Sequence, residues 1–285
     1  MKLATFEAGG APQLGAVTGE RITPLNAALP GLPADMVGLI AAWPSVEGEV
    51  RRVENAGADA LPLEQVRLLA PIRRPGKIMA IGLNYADHIA ESGLGTPEHQ
   101  VWFSKAPTAA NGPHDAIQVP RVSQALDYEA ELVAVVGRGG RHIARDEAAG
   151  AVFGYCCGND ATERAWQHRT PQWVLGKSFD THAPFGPWIT TADEVGDPHA
   201  RSIRCLVNGE VRQDSNTGRL VFDVWAQVEH LSQAMTLEPG DLIFTGTPGG
   251  IGAAMKPMRF LKPGDRVRVE IEGLGALDNP CAAEA

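Results

Sequence analysis

Long apolar runs are missing from this 285-residue sequence. No stretch approaches the roughly 18–20 residues that span a bilayer, and the first ten residues, MKLATFEAGG, lack the apolar region of a signal peptide. Basic residues are in the minority, with 25 Lys and Arg against 34 Asp and Glu and a net charge of −9, which argues against a nucleic-acid or anionic-membrane surface. We therefore expect a cytoplasmic protein with no nucleic-acid or membrane partner.

Cysteine is also scarce. The four cysteines show no CxxC spacing, and the adjacent pair Cys156–Cys157 is poorly placed for a mutual disulfide. We interpret all four, Cys205 and Cys281 included, as reduced thiols that pack as small hydrophobic residues.

Glycine and proline are plentiful, at 32 and 21 residues, and indicate many turns. Short β-type runs dominate from residue 101 onward, and 222–235 keeps a helical rhythm of apolar residues. The proline-rich stretch LAPIRRPGK (69–77) predicts a linker. We therefore expect a mainly β, α+β protein with a small N-terminal α/β domain at 1–70 and a larger domain at 71–285.

The stretch LDYEAELVAVVG (126–137) combines a buried-strand pattern with three acids. Side chains alternate along a strand, so Asp127, Glu129 and Glu131 should share one face. Like charges entering a core are costly unless a cation offsets them, and a hard divalent cation prefers such oxygen ligands. An exposed acidic strand is the alternative interpretation. The candidate third ligand is Asp160, in GYCCGNDATERAWQ, where an apolar strand ends in Asn-Asp before a helical-looking segment.

The segment GLNYADHIAESG places His88 and Glu91 three residues apart. On a helix they share a face, and a carboxylate beside an imidazole suits a general base that activates water. An ordinary surface His/Glu pair would have the same spacing.

Two further segments carry candidate groups. Lys177, in VLGKSFD, follows an apolar run and could stabilise developing negative charge near a metal, although a solvated lysine is the common alternative. The loop GDLIFTGTPGGIG (240–252), which includes Gly246 and Thr247, offers N–H groups and hydroxyls suited to a carboxylate. It is not a phosphate-binding Walker loop, because no Lys-Ser/Thr follows the glycines.

Five segments in order resemble the fumarylacetoacetate hydrolase family, over roughly residues 75–280. They are GLNYADHIAE, DYEAELVAVVG, GYCCGNDATERAWQ, GKSFDTHAPFGPW and LEPGDLIFTGTPGGIG. The resemblance implies a mixed β-roll or barrel domain, a homodimer and a Mg²⁺ or Mn²⁺ site.

Residue by residue, the resemblance implies three groups of site residues. The implied metal ligands are Glu129, Glu131 and Asp160. The implied catalytic residues are His88 and Glu91, on a segment that acts as a lid, and Lys177. The implied substrate-binding residues are Arg164, Gln167, Gly246 and Thr247. Asp127 remains a candidate for the surroundings of the metal.

The implied activity is hydrolysis of a carbon–carbon bond in a 2,4-dioxo acid, an acylpyruvate such as fumarylpyruvate. His88 and Glu91 would activate water, and the pyruvate enolate that leaves would be stabilised by the metal and Lys177. Decarboxylation, or keto–enol or double-bond isomerisation, of oxaloacetate-like or 2-hydroxy-diene-dioate substrates would use the same metal site without an attacking water. A non-catalytic, metal-stabilised binding protein is a further alternative, but it leaves His88, Glu91 and Lys177 without a reason to cluster.

Overall fold

A computed structural model describes residues 1–93 and 95–284. The strands are β1 (Lys2–Glu7), β2 (Gln13–Thr18), β3 (Arg21–Pro24), β4 (Leu61–Pro62), β5 (Arg67–Leu68), β6 (Ile78–Gly82), β7 (Val101–Lys105), β8 (Ala110–Asn111), β9 (Ile117–Val119), β10 (Leu126–Asp127), β11 (Ala130–Val136), β12 (Val152–Asn159), β13 (Thr162–Glu163), β14 (Ala183–Thr191), β15 (Ser202–Val207), β16 (Glu210–Asn216), β17 (Leu242–Phe244), β18 (Arg266–Ile271) and β19 (Gly275–Ala283). The α-helices are α1 (Leu25–Ala28), α2 (Met36–Ala56), α3 (Ala86–Ser92), α4 (Ala148–Ala151), α5 (Arg164–Gln167), α6 (Val174–Lys177), α7 (Ala192–Val195) and α8 (Val224–Ala234).

A large mixed sheet organises the chain. Its main path runs β4-β3-β2-β1-β14-β12-β11-β17-β6-β7, with β5 added to β1 and β8 to β14. A five-stranded sheet, ordered β16-β15-β18-β19-β9, and the small pair β10–β13 complete the strands of the described residues. The sheet-rich α+β class with a small N-terminal unit is therefore confirmed, with open sheets rather than a closed barrel.

The N-terminal unit is built onto the large sheet. Strand β1 pairs with β14 through Lys2↔Thr190 and Leu3↔Ile189. Helix α2 is capped at its N-terminus by Asp35, whose side chain accepts a hydrogen bond from the Gly38 N–H at 2.8 Å, and at its C-terminus by Gly57 in the left-handed region. The shared sheet means that the two units are continuous in hydrogen bonding, and the boundary near residue 70 stays a prediction.

Strand β11 is buried on both faces. Alternate residues Leu132 and Ala134 pack in the core toward the five-stranded sheet and α8, whereas Val133 and Val135 pack in the core that includes α2 and β1. Burial on both faces explains why the strand is continuously apolar after its acidic start.

The predicted single acidic strand is interrupted. Tyr128 and Glu129 lie between β10 and β11, so Asp127 and Glu131 belong to different strands. Strand β10 pairs with β13, whereas β11 joins the large sheet, so the chain leaves one pairing partner for another at this point.

All four cysteines are buried and free. No helix among the described residues is long and apolar enough to cross a membrane.

Candidate active site

Three carboxylates converge at one end of the large sheet. Glu129, Glu131 and Asp160 each offer an oxygen, and these oxygens all lie within 4.8 Å of one another. All three side chains are buried. The expected convergence is therefore present, and the strand pairing accounts for it.

The register of β11 and β12 brings the acids together. Ala130 pairs with Asn159 in the antiparallel ladder, so Asp160, one residue later, falls beside Glu129. The Asp160 N–H donates to the Glu129 carbonyl at 2.9 Å, and the Glu129 N–H donates to the Asn159 side chain at 3.0 Å. Strand pairing, not sequence proximity, thus creates the acidic cluster.

Two buried lysines contact the cluster. The Lys177 Nζ lies 2.7 Å from Oε2 of Glu129 and 2.5 Å from Oδ2 of Asp160. The Lys105 Nζ lies 2.5 Å from Oδ1 of Asp160 and donates to the Ala161 carbonyl at 3.2 Å. Both oxygens of Asp160 therefore face an ammonium group, and its orientation is fixed from two sides.

Arg164 joins Asp127 to the cluster. Its Nη2 lies 2.6 Å from Oε1 of Glu129 and 2.9 Å from Oδ2 of Asp127, and its Nη1 donates to Gln167 at 3.0 Å. Asp127 also accepts hydrogen bonds from the N–H groups of Gly252 and Ala253, at 2.8 and 3.0 Å. Asp127 thus orients Arg164 and the loop after β17, and it is absent from the three-carboxylate cluster.

Glu131 has the least compensated charge of the cluster. Burial raises its pKa well above the usual range, and repulsion from Asp160 and Glu129 raises the pKa further. A single N–H, that of Gly246 at 2.8 Å, donates to its Oε2. For Glu129, burial alone would raise the pKa, but Lys177 and Arg164 outweigh it and lower the pKa to about 2.

The donor set fits a hard divalent cation. Four carboxylates, those of Asp127, Glu129, Glu131 and Asp160, face three cationic side chains, those of Lys105, Arg164 and Lys177. One negative charge is therefore left over, and it falls at Glu131, where electrostatic compensation is weakest. Clustered carboxylate oxygens are the ligands that Mg²⁺ and Mn²⁺ prefer.

His88 and Glu91 lie on α3 as expected, but they are not hydrogen-bonded to each other. The His88 Nδ1 is 3.7 Å from Oε2 of Glu91 and has no hydrogen-bond partner among residues 1–93 and 95–284. The Glu91 carboxylate instead accepts from the Gly250 N–H, at 2.9 and 3.1 Å. The spacing of three residues permits the pair, but the glycine loop competes for the carboxylate.

The turn between β6 and α3 holds the helix against the sheet. Leu83 has a φ of 54°, which is unusual for a residue with a side chain. Asn84 fixes this turn, because its Nδ2 donates to the carbonyls of Phe222 and Thr245 at 2.9 and 2.7 Å and its Oδ1 accepts from the Phe222 N–H at 2.8 Å. Asn84 therefore connects α3 to the loop after β17.

The loop after β17 delivers the remaining expected residues. The Thr245 N–H and hydroxyl both donate to the Leu132 carbonyl, at 3.1 and 2.9 Å. Gly246 then takes a φ of 102°, and a Cβ there would lie 2.8 Å from the Cβ of Asn84, so glycine is required. This turn directs the Gly246 N–H at Glu131 and places Thr247 on the cavity wall.

These groups surround a cavity of about 200 Å³. Its walls include seven of the ten expected site residues, together with apolar Phe103, Trp173 and Ile251; the seven are His88, Glu129, Glu131, Arg164, Gln167, Lys177 and Thr247. The Lys177 Nζ also lies 4.7 Å from the centre of the Phe103 ring. The cavity therefore has a charged side at the carboxylates and an apolar side at Phe103, Trp173 and Ile251.

Three buried polar residues near the cavity were missed by the sequence analysis: Asn84, Lys105 and Gln213. Each contacts residues far along the chain, which local spacing does not reveal. A weak signal exists for Lys105, a charged residue at the end of the apolar strand β7, and for Asn84, a polar residue after β6.

Comparisons with known proteins agree with this architecture. Residues 77–282 match the fumarylacetoacetate (FAA) hydrolase C-terminal family, and residues 1–71 match the Rv2993c-like N-terminal family. The chain belongs to the fumarylacetoacetate hydrolase family, and it is an enzyme of that superfamily.

Relatives within this family carry different activities. Oxaloacetate tautomerase FAHD2A, mitochondrial, of Bos taurus is 42% identical over 98% of this chain and 91% of its own. Fumarylacetoacetate hydrolase from Exiguobacterium antarcticum is 37% identical with a TM-score of 0.88, and maleylpyruvate hydrolase from Sphingobium sp. SYK-6, solved with manganese(II) and pyruvate, is 33% identical with a TM-score of 0.85. Both structural matches cover 100% of each chain.

Proposed function

We propose that this enzyme catalyses the keto–enol tautomerisation of oxaloacetate or a closely similar 2-oxo dicarboxylic acid, with Mg²⁺ or Mn²⁺ held by Glu129, Glu131 and Asp160. The observation that carries the proposal is the separation of His88 from Glu91. A water-activating dyad needs the carboxylate hydrogen-bonded to the imidazole, whereas the Glu91 carboxylate lies 3.7 Å from His88 and accepts a hydrogen bond from the Gly250 N–H. The full-length similarity to a bovine oxaloacetate tautomerase supports the same choice.

Tautomerisation moves one proton from C3 of the acid to its C2 oxygen. A bound divalent cation would polarise the C2 oxygen and so acidify the C3 protons. The imidazole of His88, on the cavity wall, takes the C3 proton and, as an imidazolium, returns it to the C2 oxygen, so that no net proton is gained or lost. The ammonium of Lys177 faces the charge that develops at the C2 oxygen, and attraction to Asp160 and Glu129 keeps its pKa raised despite the opposing effect of burial.

The remaining cavity residues hold the acid and exclude water. The Thr247 hydroxyl lines the cavity next to the Gly246 N–H that binds Glu131, and in this proposal it binds the C1 carboxylate. Phe103, Trp173 and Ile251 form the apolar side, which excludes water from the reacting carbons. Burial lowers the pKa of His168, and nearby Arg164 and Lys177 lower it further, so this cavity residue is a neutral hydrogen-bonding group at neutral pH.

The test is a direct assay of oxaloacetate enolisation. The Mn²⁺-loaded enzyme should speed the approach to keto–enol equilibrium above the rate with Mn²⁺ alone, without forming pyruvate or CO₂ faster than that control. The Glu131→Gln variant serves as the matched protein control. An enolisation rate equal to that of metal alone would refute the proposal.

Acylpyruvate hydrolysis is the second candidate, favoured by the i, i+3 placement of His88 and Glu91 on α3. A small movement of Glu91 from Gly250 to His88 would assemble the dyad, and the maleylpyruvate hydrolase noted above shares the fold. Cleavage of an acylpyruvate into pyruvate and a second acid, with no effect on oxaloacetate enolisation, would select this candidate. The expected homodimer and cytoplasmic location accompany either activity as proposals.

A further inference from the structure

Gln213 lies beneath the loop that carries Thr247. It belongs to β16 of the five-stranded sheet, a strand whose other residues are exposed or partly exposed. Gln213 itself is only 1% exposed. A buried amide in such a strand needs hydrogen-bond partners, because an unsatisfied buried amide costs about 1–3 kcal/mol.

The Gln213 amide makes three hydrogen bonds that fix its orientation. Its Oε1 accepts from the Ala130 N–H at 2.9 Å. Its Nε2 donates to the Pro248 carbonyl at 2.8 Å and to Oγ1 of Thr247 at 2.8 Å. A backbone N–H can only donate and a backbone carbonyl can only accept, so the reversed amide would place like groups against each other at both ends.

This orientation determines the polarity of Thr247. One Nε2 proton is used by Pro248, and the other must go to Oγ1, which therefore acts as an acceptor toward Gln213. The hydroxyl proton of Thr247 must then point elsewhere, and no acceptor for it is found among residues 1–93 and 95–284. Thr247 lines the cavity, so its proton is available to an acceptor bound there.

Gln213 also connects the two halves of the site. Ala130 lies between Glu129 and Glu131, and Pro248 follows Thr247. One side chain from the second sheet thus bridges the carboxylate strand and the loop that faces it, in addition to the direct hydrogen bonds of Thr245 and Gly246.

We propose that Gln213 is a positioning residue that presents the Thr247 hydroxyl to the cavity as a hydrogen-bond donor for a substrate carboxylate. The inference rests on the proposed function only in requiring that a small carboxylic acid binds in this cavity. It holds for a tautomerase and for a hydrolase alike.

The test replaces the amide by a carboxyl group of the same shape. In Gln213→Glu, Oε1 can still accept from Ala130, but the other oxygen accepts from Thr247, so the hydroxyl proton turns away from the cavity. Oxalate is the probe, titrated by calorimetry into protein saturated with Mn²⁺. We expect the oxalate Kd to rise about 10- to 100-fold, the range for a hydrogen bond to a charged group. We also expect KM for the oxo acid to rise while kcat changes less than about threefold.

A double-mutant cycle separates positioning from general damage. Thr247→Val removes the hydroxyl, and adding Gln213→Glu to it should change the oxalate Kd by less than about threefold, because the proton to be redirected is gone. Gln213→Met, of similar length, gives a second measurement if the glutamate variant does not fold. The matched control is Gln227→Glu, since Gln227 is another buried glutamine that donates to a backbone carbonyl, that of Phe222, away from the cavity wall.

The outcomes distinguish this inference from the proposed activity. Equal oxalate affinity in wild type and Gln213→Glu, or equal losses with and without the Thr247 hydroxyl, would overturn the role of Gln213. Failure of the wild type to bind oxalate would overturn it as well, since it denies the carboxylate site. If oxalate binding depends on Gln213 as described while oxaloacetate enolisation is not accelerated, the positioning role stands and only the tautomerase proposal falls.

Discussion

The two sides of the cavity are built differently. We call Lys105, Glu129, Glu131, Asp160, Arg164 and Lys177 the floor, and helix α3 (Ala86–Ser92) the lid. Side chains of the floor are at most 8% exposed, and each acid except Glu131 is paired with a cationic group at 2.9 Å or less. On the lid, His88 and Glu91 are 13% and 28% exposed and 3.7 Å apart.

This difference separates two tasks. Charges on the floor are held before any substrate arrives, which is what electrostatic stabilisation of a developing charge requires. The lid is a seven-residue helix whose acid and base are not yet hydrogen-bonded to each other. The two candidate proton-transfer groups, His88 and Glu91, are therefore not locked together, in contrast with the paired charges of the floor.

Breaking the floor at Glu131 should have the largest effect. In Glu131→Gln we expect Mn²⁺ affinity to fall by more than about 100-fold, with activity falling accordingly. Because Glu131 is buried and repelled by Asp160 and Glu129, the metal-free variant should melt about 2–4 °C higher than metal-free wild type, which corresponds to roughly 1 kcal/mol. Calorimetric titration and thermal melting measure the two effects.

A lower melting temperature of the metal-free Glu131→Gln protein would contradict the idea that Glu131 is the uncompensated charge. Metal removal from wild type provides the matching comparison. A chelator should lower the melting temperature of the wild type far more than that of the variant, since only the wild type loses a bound ion.

Removing the lid's base should affect turnover without affecting the floor. In His88→Ala we expect turnover to fall about 100- to 10,000-fold, the usual contribution of general acid–base catalysis, with Mn²⁺ affinity within about threefold of wild type. Glu91→Gln should lose much less tautomerase activity, because Glu91 is held by Gly250 rather than by His88. Steady-state kinetics and metal titration measure the comparison.

The control for the lid is His230→Ala, which removes an exposed histidine from helix α8. It should leave kcat and KM unchanged. Equal losses in His88→Ala and Glu91→Gln would show instead that the two residues act as one unit, and this would favour hydrolysis.

Lys105 tests how far the floor depends on a member that does not itself line the cavity. In Lys105→Met, Oδ1 of Asp160 loses its ammonium partner, so we expect Mn²⁺ affinity to fall about 10- to 100-fold, as is typical for a residue that orients a metal ligand. Lys77→Met is the control, because Lys77 is a partly exposed lysine that also contacts two acids, Glu238 and Asp241, and neither acid belongs to the floor. Unchanged Mn²⁺ affinity in Lys105→Met would show that Lys177 alone orients Asp160.

The sequence could predict the acids of the floor but not their surroundings. The alternation of Glu129 and Glu131 before an apolar run, and the strand end at Asp160, follow from local patterns. Lys105 and Gln213 meet their partners 55 and 83 residues away in sequence, and only the strand order brings them there. Those contacts depend on topology, which local patterns do not contain.

Competition between partners limited the prediction for the lid. The spacing of His88 and Glu91 is compatible with a hydrogen bond on a helix, and α3 is indeed a helix. In the fold, however, the Gly250 N–H, 159 residues away in sequence, donates a hydrogen bond to the Glu91 carboxylate. Helical spacing shows which side chains can meet, but not which of several acceptable partners a carboxylate takes.

The effect expected at His182, behind the floor, is on folding stability alone. Burial lowers the pKa of His182 to about 4, and the charge of Lys105 opposes protonation further, while its Nε2 is 2.8 Å from the Gln118 carbonyl. The unfolded chain takes up this proton near pH 6.5, so it binds more protons than the folded protein between that pH and about 4. Folding stability should therefore fall as the pH drops through this window.

Urea unfolding of the metal-free protein at a series of pH values measures the effect. Compared with His182→Gln, which keeps a donor for Gln118 but cannot be charged, wild type should lose up to about 1.4 kcal/mol more per pH unit below pH 6. His230→Gln, at an exposed position, should show the wild-type slope. Identical slopes for wild type and His182→Gln would mean that His182 takes up its proton at the same pH in the folded and unfolded chain, so that neither burial nor Lys105 lowers its pKa.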